Sequence, residues 1–210
     1  MRVRVRLLAL LVLAALLAGC SAVSSAAASP SAKGTAAASP RAAGQGLPGL
    51  LPVPAGARPW TTNTNAQLGR VAFVHAFYVQ KGWTSEAALY LRRGFVTGAA
   101  EGWINADGSQ QSIAIIRFAS AVGAESTYDD FTASWTDDYT NVTMLSDTAV
   151  TGAVGMSDPT LDTYGNARVE FAVVVGDEVI DVHEYTAATP DPAAARALLL
   201  KQYDAVKNSA

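Results

Sequence analysis

The fold is decided by the stretch RVEFAVVVGDEVIDVHEY, which spans residues 168–185. Its two apolar halves flank Gly176 and Asp177, a pair that favours a tight turn between antiparallel strands. Short apolar runs that are rich in valine and bounded by a turn are typical of strands. We therefore predict a β-hairpin with strands at 168–175 and 178–185.

A helix is predicted directly after this hairpin. Asp191 precedes Pro192, a typical helix start, because aspartate caps free N–H groups and proline has no N–H to satisfy. Apolar residues then recur at helical spacing. The predicted buried face comprises Ala195, Leu198, Leu199, Gln202, Tyr203 and Val206.

The same order of elements occurs earlier in the chain. Strands are predicted at 99–105 and 112–118 around a turn at 106–109, and a helix is predicted at 121–135. Two strand–turn–strand–helix units predict an α+β fold, in which helices pack on an antiparallel sheet. Further short strands are predicted at 142–145 and 153–156.

Two helices are predicted before these units. The first starts at Asn63 or Thr64, ends near Gln80 and carries His75 on its apolar stripe, where we expect a buried neutral imidazole. The second covers EAALYLRR at 86–93 and ends at a glycine.

The first twenty residues, MRVRVRLLALLVLAALLAGC, have the three parts of an export signal. Three arginines precede an apolar run from Leu7 to Leu17, which is too short to cross a hydrocarbon core of about 30 Å. Leu17-Ala18-Gly19-Cys20 resembles the bacterial lipobox, whose cysteine receives a diacylglyceryl thioether before cleavage on its N-terminal side. We expect Cys20 to be lipidated, with an ordinary secretory signal as the alternative.

These patterns divide the chain into three parts. Residues 1–19 are predicted to be a lipoprotein signal peptide, and residues 48–210 a single globular domain. Between them, residues 20–47 hold the lipidated cysteine and a stretch of Ala, Ser, Pro and Gly that cannot bury enough apolar surface to fold. We interpret this stretch as a disordered tether on the extracytoplasmic face of a cell membrane.

The charge of the mature chain argues against nucleic acid as a partner. Removing Arg2, Arg4 and Arg6 from the 15 basic residues leaves 12 against 18 acidic residues, a formal net charge near −6. Affinity for nucleic acid rests mainly on Lys and Arg that neutralise phosphates. We therefore expect a membrane, an envelope ligand or a protein as the partner.

The end of the chain, VVVGDEVIDVHEYTAATPDPAAARALLLKQYDAV, resembles the end of actinobacterial extracytoplasmic sensor domains of the PknH type. Those domains also close with a hairpin whose turn carries glycine, followed by a helix that starts at proline. They use disulfides, whereas this chain has no cysteine after Cys20. The resemblance implies a ligand-sensing or surface-interaction module.

No catalytic or metal-binding motif is present in the sequence. Asp181 and His183 share one face of a predicted strand, which is the minimum for a general base, but residues two apart along a strand are about 6.5–7 Å apart. We therefore expect no direct hydrogen bond between them and favour a packed or solvated histidine. We expect no cofactor and no metal, and we interpret the pairs Asp129–Asp130 and Asp137–Asp138 as a solvated helix face.

Aromatic residues are the remaining candidates for recognition. Trp60 and Trp83 lie in predicted loops, and exposed tryptophans beside polar residues mark surfaces that bind glycans or proteins. With Trp103 and His183 they form the predicted ligand-binding set, and the alternative is that the tryptophans pack at the edges of the core.

The sequence thus favours a non-enzymatic, membrane-anchored lipoprotein that binds a ligand or protein at the cell envelope. An envelope hydrolase that uses His183 with Asp181 is the alternative function, and a structural spacer without a ligand is a third.

Overall fold

The computed structural model of the chain describes residues 46–60, 67–78 and 80–209. The predicted signal peptide, Cys20, most of the predicted tether and the predicted helix caps at Asn63 and Thr64 lie outside these ranges. Among the described helices, none combines the length and apolar character that crossing a bilayer would require.

An antiparallel sheet of eight strands forms the centre of the described domain. The strands are β1 (Arg58–Pro59), β2 (Gln67–Leu68), β3 (Phe95–Ile104), β4 (Gln110–Phe118), β5 (Thr143–Ser146), β6 (Val154–Asp158), β7 (Asn166–Val175) and β8 (Glu178–Ala187). Their order is β1-β3-β4-β8-β7-β6-β5, and β2 also pairs with β3. Both predicted hairpins are present, and β4 pairs with β8 to join them.

Four α-helices cover this sheet. They are α1 (Arg70–Phe77), α2 (Trp83–Arg92), α3 (Ala121–Asp138) and α4 (Pro192–Lys207). The Ser120 side chain accepts a hydrogen bond from Gly123 N at the start of α3, and Asp191 caps α4 in the predicted way. Gly94, with φ +76°, follows α2 in a conformation that other residues adopt only with strain. The predicted α+β class is confirmed.

Successive side chains of a strand point to opposite sides of the sheet, and helices bury both of these faces. On one face, α4 packs on Ile113, Ile115, Val169, Phe171, Ile180 and Val182. On the other, α1, α2 and α3 cover Ala114, Ile116, Phe118, Ala172 and Val179. We call these the α4 face and the α3 face.

Glycines let two helices approach closely. A Cβ atom on Gly98 would lie 2.5 Å from the ring of Phe73, so glycine at this position seats α1 on β3. A Cβ on Gly123 would lie 2.1 Å from the Arg93 carbonyl oxygen, which fixes the start of α3 against the end of α2.

Three expectations about the N-terminal part are wrong. Leu47, assigned to the tether, is 1% exposed and packs in the core beneath α4. Leu68 belongs to strand β2 and not to the first helix. His75 is exposed, because α1 is only eight residues long and turns Phe73 and Val74 towards the sheet.

Candidate functional site

A cluster of charged side chains lies on the α3 face, beneath the end of α3. The two-residue turn at Gly176–Asp177 places His183 opposite Glu170 and Tyr185 opposite Arg168 in the β7–β8 hairpin. Asp181 is on the same face, two residues before His183. We call Asp181, His183, Glu170, Arg168 and Tyr185 the charged cluster.

Oxygen atoms surround His183 on both sides of its ring. Its Nε2 lies 2.9 Å from Asp181 Oδ2, and its Nδ1 lies 3.2 Å from the Tyr185 hydroxyl and 3.4 Å from Glu170 Oε1. The expectation that Asp181 and His183 are too far apart to bond is therefore wrong. The Cα spacing along a strand is not the limit, because both side chains lean towards each other and their polar atoms lie at their ends.

The charges around His183 favour its protonated form. Burial by itself disfavours the imidazolium, but Asp181, Tyr185 and Glu170 outweigh it and raise the pKa of His183 well above 6.5. Burial likewise disfavours the Glu170 carboxylate, but His183, Arg168 and Trp135 together lower its pKa below the usual value. The cluster is thus a largely buried network of ion pairs, and both ring nitrogens of His183 already have hydrogen-bond partners within it.

Aromatic rings surround the other end of the network. Arg168 donates to the hydroxyl of Tyr139 and lies 3.3 Å from Glu170 Oε1. Its guanidinium lies 4.9 Å from the ring centroid of Tyr139 and 5.0 Å from that of Tyr185, within the range of cation–π attraction. Trp60 contacts Tyr185 edge-on, with 5.7 Å between centroids.

The predicted ligand-binding set does not come together. Trp60 lies beside the charged cluster through Tyr185, close to His183. Trp83 lies apart at the start of α2, where its ring stacks on His75 at 3.8 Å and its Nε1 donates to the Tyr78 carbonyl oxygen. Trp103 is fully buried on the α4 face, so it is a core residue rather than part of an exposed surface.

Sequence reasoning missed Glu170 and Arg168. Counting outward from the turn at Gly176–Asp177 pairs them with His183 and Tyr185, so the hairpin register would have identified both. Trp135 lies in α3 and Tyr139 directly follows it. Both reach the cluster because α3 packs on the sheet, which no local pattern in the sequence predicts.

A buried polar chain lies on the α4 face. Trp103 Nε1 donates to Gln111 Oε1 at 3.0 Å, and Gln111 Nε2 donates to Glu184 Oε2. Burial raises the pKa of Glu184 to about 7; the Gln111 hydrogen bond opposes this effect, and the charges of Asp191 and Asp107 add to it.

An open cleft that a ligand could enter lies between α2 and α3. Its volume is about 510 Å³. Near its base, the hydroxyl groups of Tyr78 and Tyr90 lie 3.1 Å apart and share a hydrogen bond. The other lining residues are Glu86, Leu89, Arg93, Asp130, Phe131, Ala133, Ser134, Asp137 and Asp138.

The cleft is acidic. Arg93 is the one basic residue of its lining; its Nη2 forms an ion pair with Asp130 and its Nη1 donates to Thr127 Oγ1 at 3.4 Å. The predicted solvated face at Asp137 and Asp138 is one wall of this cleft. Sequence periodicity could not reveal it, because α2 and α3 are separated by a hairpin and meet only in the folded chain.

The charged cluster lies close to the cleft. Burial, the Tyr78 hydroxyl and then the charges of Asp181 and Glu86 raise the pKa of Tyr90 well above its usual value. The same two carboxylates act on Tyr78, where burial is again the main cause of a raised pKa. In the described parts of the chain, no group of histidine, cysteine or carboxylate side chains has a geometry that could hold a metal ion.

No protein-family model matches the sequence, and no curated protein matches it. Among solved structures, the chain is similar to the extracellular domain of PknH from Mycobacterium tuberculosis, with 16% sequence identity and a TM-score of 0.42. The match covers 60% of this chain and 72% of that one. At this level the similarity assigns neither a family nor a function to the chain.

Replacing His183 tests whether the charged cluster stabilises the fold. His183→Gln leaves the buried Asp181 without its counter-charge and Glu170 with Arg168 alone, so we expect the free energy of unfolding to fall by about 3–5 kcal/mol below about pH 6. Because the folded pKa is raised, the stabilisation is fully present below the unfolded pKa of 6.5 and is lost as pH rises through the folded value. Urea unfolding of both proteins across this range measures the difference. An equal loss in the exposed control His75→Gln would contradict the assignment.

Replacing Glu184 tests the second buried carboxyl group. Its folded pKa of about 7 exceeds the usual 4.5, so the folded state binds the proton more tightly and stability falls as pH rises between these values. Glu184→Gln does not titrate, and its amide oxygen still accepts from Gln111. We expect the variant to lose this part of the pH dependence and to be more stable than the wild type above about pH 7. Unfolding curves that change with pH as in the wild type would refute the shift, and Glu125→Gln is the exposed control.

Proposed function

We propose that this chain is an extracytoplasmic, lipid-anchored binding module without catalytic activity, and that its ligand occupies the cleft between α2 and α3. The cleft is the observation that carries the proposal. Its volume of about 510 Å³ lies within the range of small-molecule sites, and it combines aromatic walls with a few polar groups at its base.

The proposed location at the membrane rests on the sequence. Three arginines, an apolar run and Leu17-Ala18-Gly19-Cys20 follow one another in the order of a lipoprotein signal. The diacylglyceryl group carries two acyl chains, which anchor a protein far more stably than one, since each buried methylene contributes about 0.8 kcal/mol. A lipid on Cys20 would therefore hold the domain at the outer face of the membrane.

The state of His183 argues against the alternative hydrolase. A general base needs a free lone pair within reach of a nucleophile. Nε2 of His183 lies 2.9 Å from Asp181 Oδ2 and Nδ1 lies 3.2 Å from the Tyr185 hydroxyl, so both ring nitrogens are already engaged within the fold. We therefore assign His183 and Asp181 a structural role beneath α3, and recognition to the cleft.

Replacing Cys20 tests the proposed location. Cys20→Ala cannot form the thioether, so we expect the protein to move from the membrane fraction to the culture medium or the soluble envelope fraction. Immunoblots of the fractions measure this, with Ser25→Ala as the matched control. Retention of Cys20→Ala in the membrane fraction would refute the lipid anchor.

Blocking the cleft tests the binding site. We expect a thermal-shift screen of envelope glycans, lipids and small solutes to find a compound that raises Tm by roughly 5 °C at about a hundredfold excess over Kd. Ala133→Trp fills the cleft and should abolish this shift.

The control for the blocked cleft is Ala197→Trp, which adds the same side chain at an exposed position of α4. It should retain the shift. A shift that survives in Ala133→Trp would place the site elsewhere, and a screen without any hit would contradict a binding function.

A further inference from the structure

We infer that the ligand of the α2–α3 cleft is a small organic cation, with an ammonium or guanidinium group on a short apolar body. This inference rests on the proposed function and names the class of ligand. Three properties of the cleft lead to it: its rings, its excess of carboxylates over cations and the surroundings of its hydroxyl pair.

The rings and aliphatic side chains suit an apolar body that carries positive charge. Tyr78 and Phe131 line the cleft with their rings, together with Leu89. The ring of Tyr90 is stacked on Phe118, so this residue contributes its hydroxyl group rather than its face. The faces of aromatic rings carry partial negative charge and attract ammonium and guanidinium groups within about 6 Å of the ring centroid. Arg168 already makes such contacts with two tyrosines elsewhere on this face of the sheet.

The carboxylates of the cleft exceed its cations. Arg93 is paired with Asp130. Glu86, Asp137 and Asp138 line the same cleft, and no lysine or arginine of the described chain lies within ion-pair distance of them. Arg93 also acts on Glu86, so the four carboxylates of the lining share one guanidinium. An entering cation would therefore meet a net negative charge, whereas an anion would be repelled.

Two carboxylates from different elements act on the hydroxyl pair, and Arg93 opposes them more weakly at Tyr78. Glu86 on α2 and Asp181 on β8 both act on Tyr78 and Tyr90, so a negative charge at this position is disfavoured and a positive one is favoured. The Tyr78–Tyr90 hydrogen bond uses one lone pair of the two oxygens. In the residues that the structure describes, neither hydroxyl has a second hydrogen-bond partner, so both oxygens can accept an N–H from a ligand.

Tyr90 forms the most buried part of the cleft. The residue is 2% exposed, and its ring packs edge-on against Phe73 and Phe95, so it has little freedom to move. A ligand that reaches this hydroxyl exchanges water for protein contacts, and electrostatic attraction is stronger where water is excluded. The cleft therefore favours a cation with an apolar body over a bare, strongly hydrated metal ion.

Three probes of nearly equal shape and different charge test the inference. They are 2-phenylethylammonium, 2-phenylethanol and 3-phenylpropanoate, titrated by calorimetry into the full-length protein in detergent. We expect the cation to bind at least about tenfold more tightly than the alcohol, and the carboxylate not to bind. Added salt should weaken binding of the cation and leave that of the alcohol unchanged.

Matched variants separate charge from shape. Glu86→Gln combined with Asp137→Asn should weaken binding of the cation about tenfold and leave binding of the alcohol unchanged. Glu125→Gln, on the exposed side of α3, should change neither.

Equal affinity for the cation and the alcohol, tighter binding of the carboxylate, or no binding of the cation at about 10 mM would each overturn the inference. If the cation fails while compounds from the screen still bind in the cleft, the ligand class is wrong and the binding function stands. If the blocked variant Ala133→Trp binds every hit, the proposed function itself fails.

Discussion

The pairing of β4 with β8 is the contact on which the rest of the structure depends. Each hairpin could form by local pairing, but a two-stranded hairpin alone is at best marginally stable in water. Antiparallel pairing from Gln110–Tyr185 to Arg117–Glu178 joins the hairpins into one sheet. It aligns Ile115 with Ile180 on the α4 face and Ala114 with Asp181 on the α3 face, so each set of helices has a continuous surface to cover.

The charged cluster places ionised side chains on the α3 face of this sheet, where burying them is unfavourable. A buried ion pair rarely stabilises a fold more than apolar residues of equal volume, because desolvation offsets the attraction. Breaking it is nevertheless expensive, since a lone buried charge remains. Trp135 packs over Ala172 and Met156 beside the cluster, so the charges and the apolar contacts together define where the end of α3 rests.

The charged cluster and the proposed binding cleft are separate regions of the α3 face. His183 and its carboxylate partners are largely buried beneath α3 and hold each other, whereas the cleft between α2 and α3 is open to solvent. Asp181 serves both regions, because it pairs with His183 and its charge reaches the tyrosine hydroxyls at the base of the cleft. A change at Asp181 would thus alter stability and the electrostatics of the cleft together.

The sequence by itself determined the local elements with strong short-range signals. The turn at Gly176–Asp177, the cap at Asp191 and the start of α3 all appear where they were predicted, because each depends on residues only a few positions apart. The hairpin register was also available from the sequence, and it would have placed Glu170 beside His183. The predicted lipobox at Cys20 likewise rests on a local pattern, and it lies outside the described residues.

Tertiary structure alone decided the rest. The cleft requires α2 and α3 to meet. They can do so because Gly123 has no side chain that would clash with the Arg93 carbonyl oxygen. His75 is exposed for a similar reason: helix periodicity identifies a stripe, but the neighbouring element decides whether that stripe faces the core or the solvent. Trp103 is buried because residues distant in the chain cover its face of β3. Contacts between residues distant in the chain depend on how whole layers pack, and no short pattern in the sequence encodes that packing.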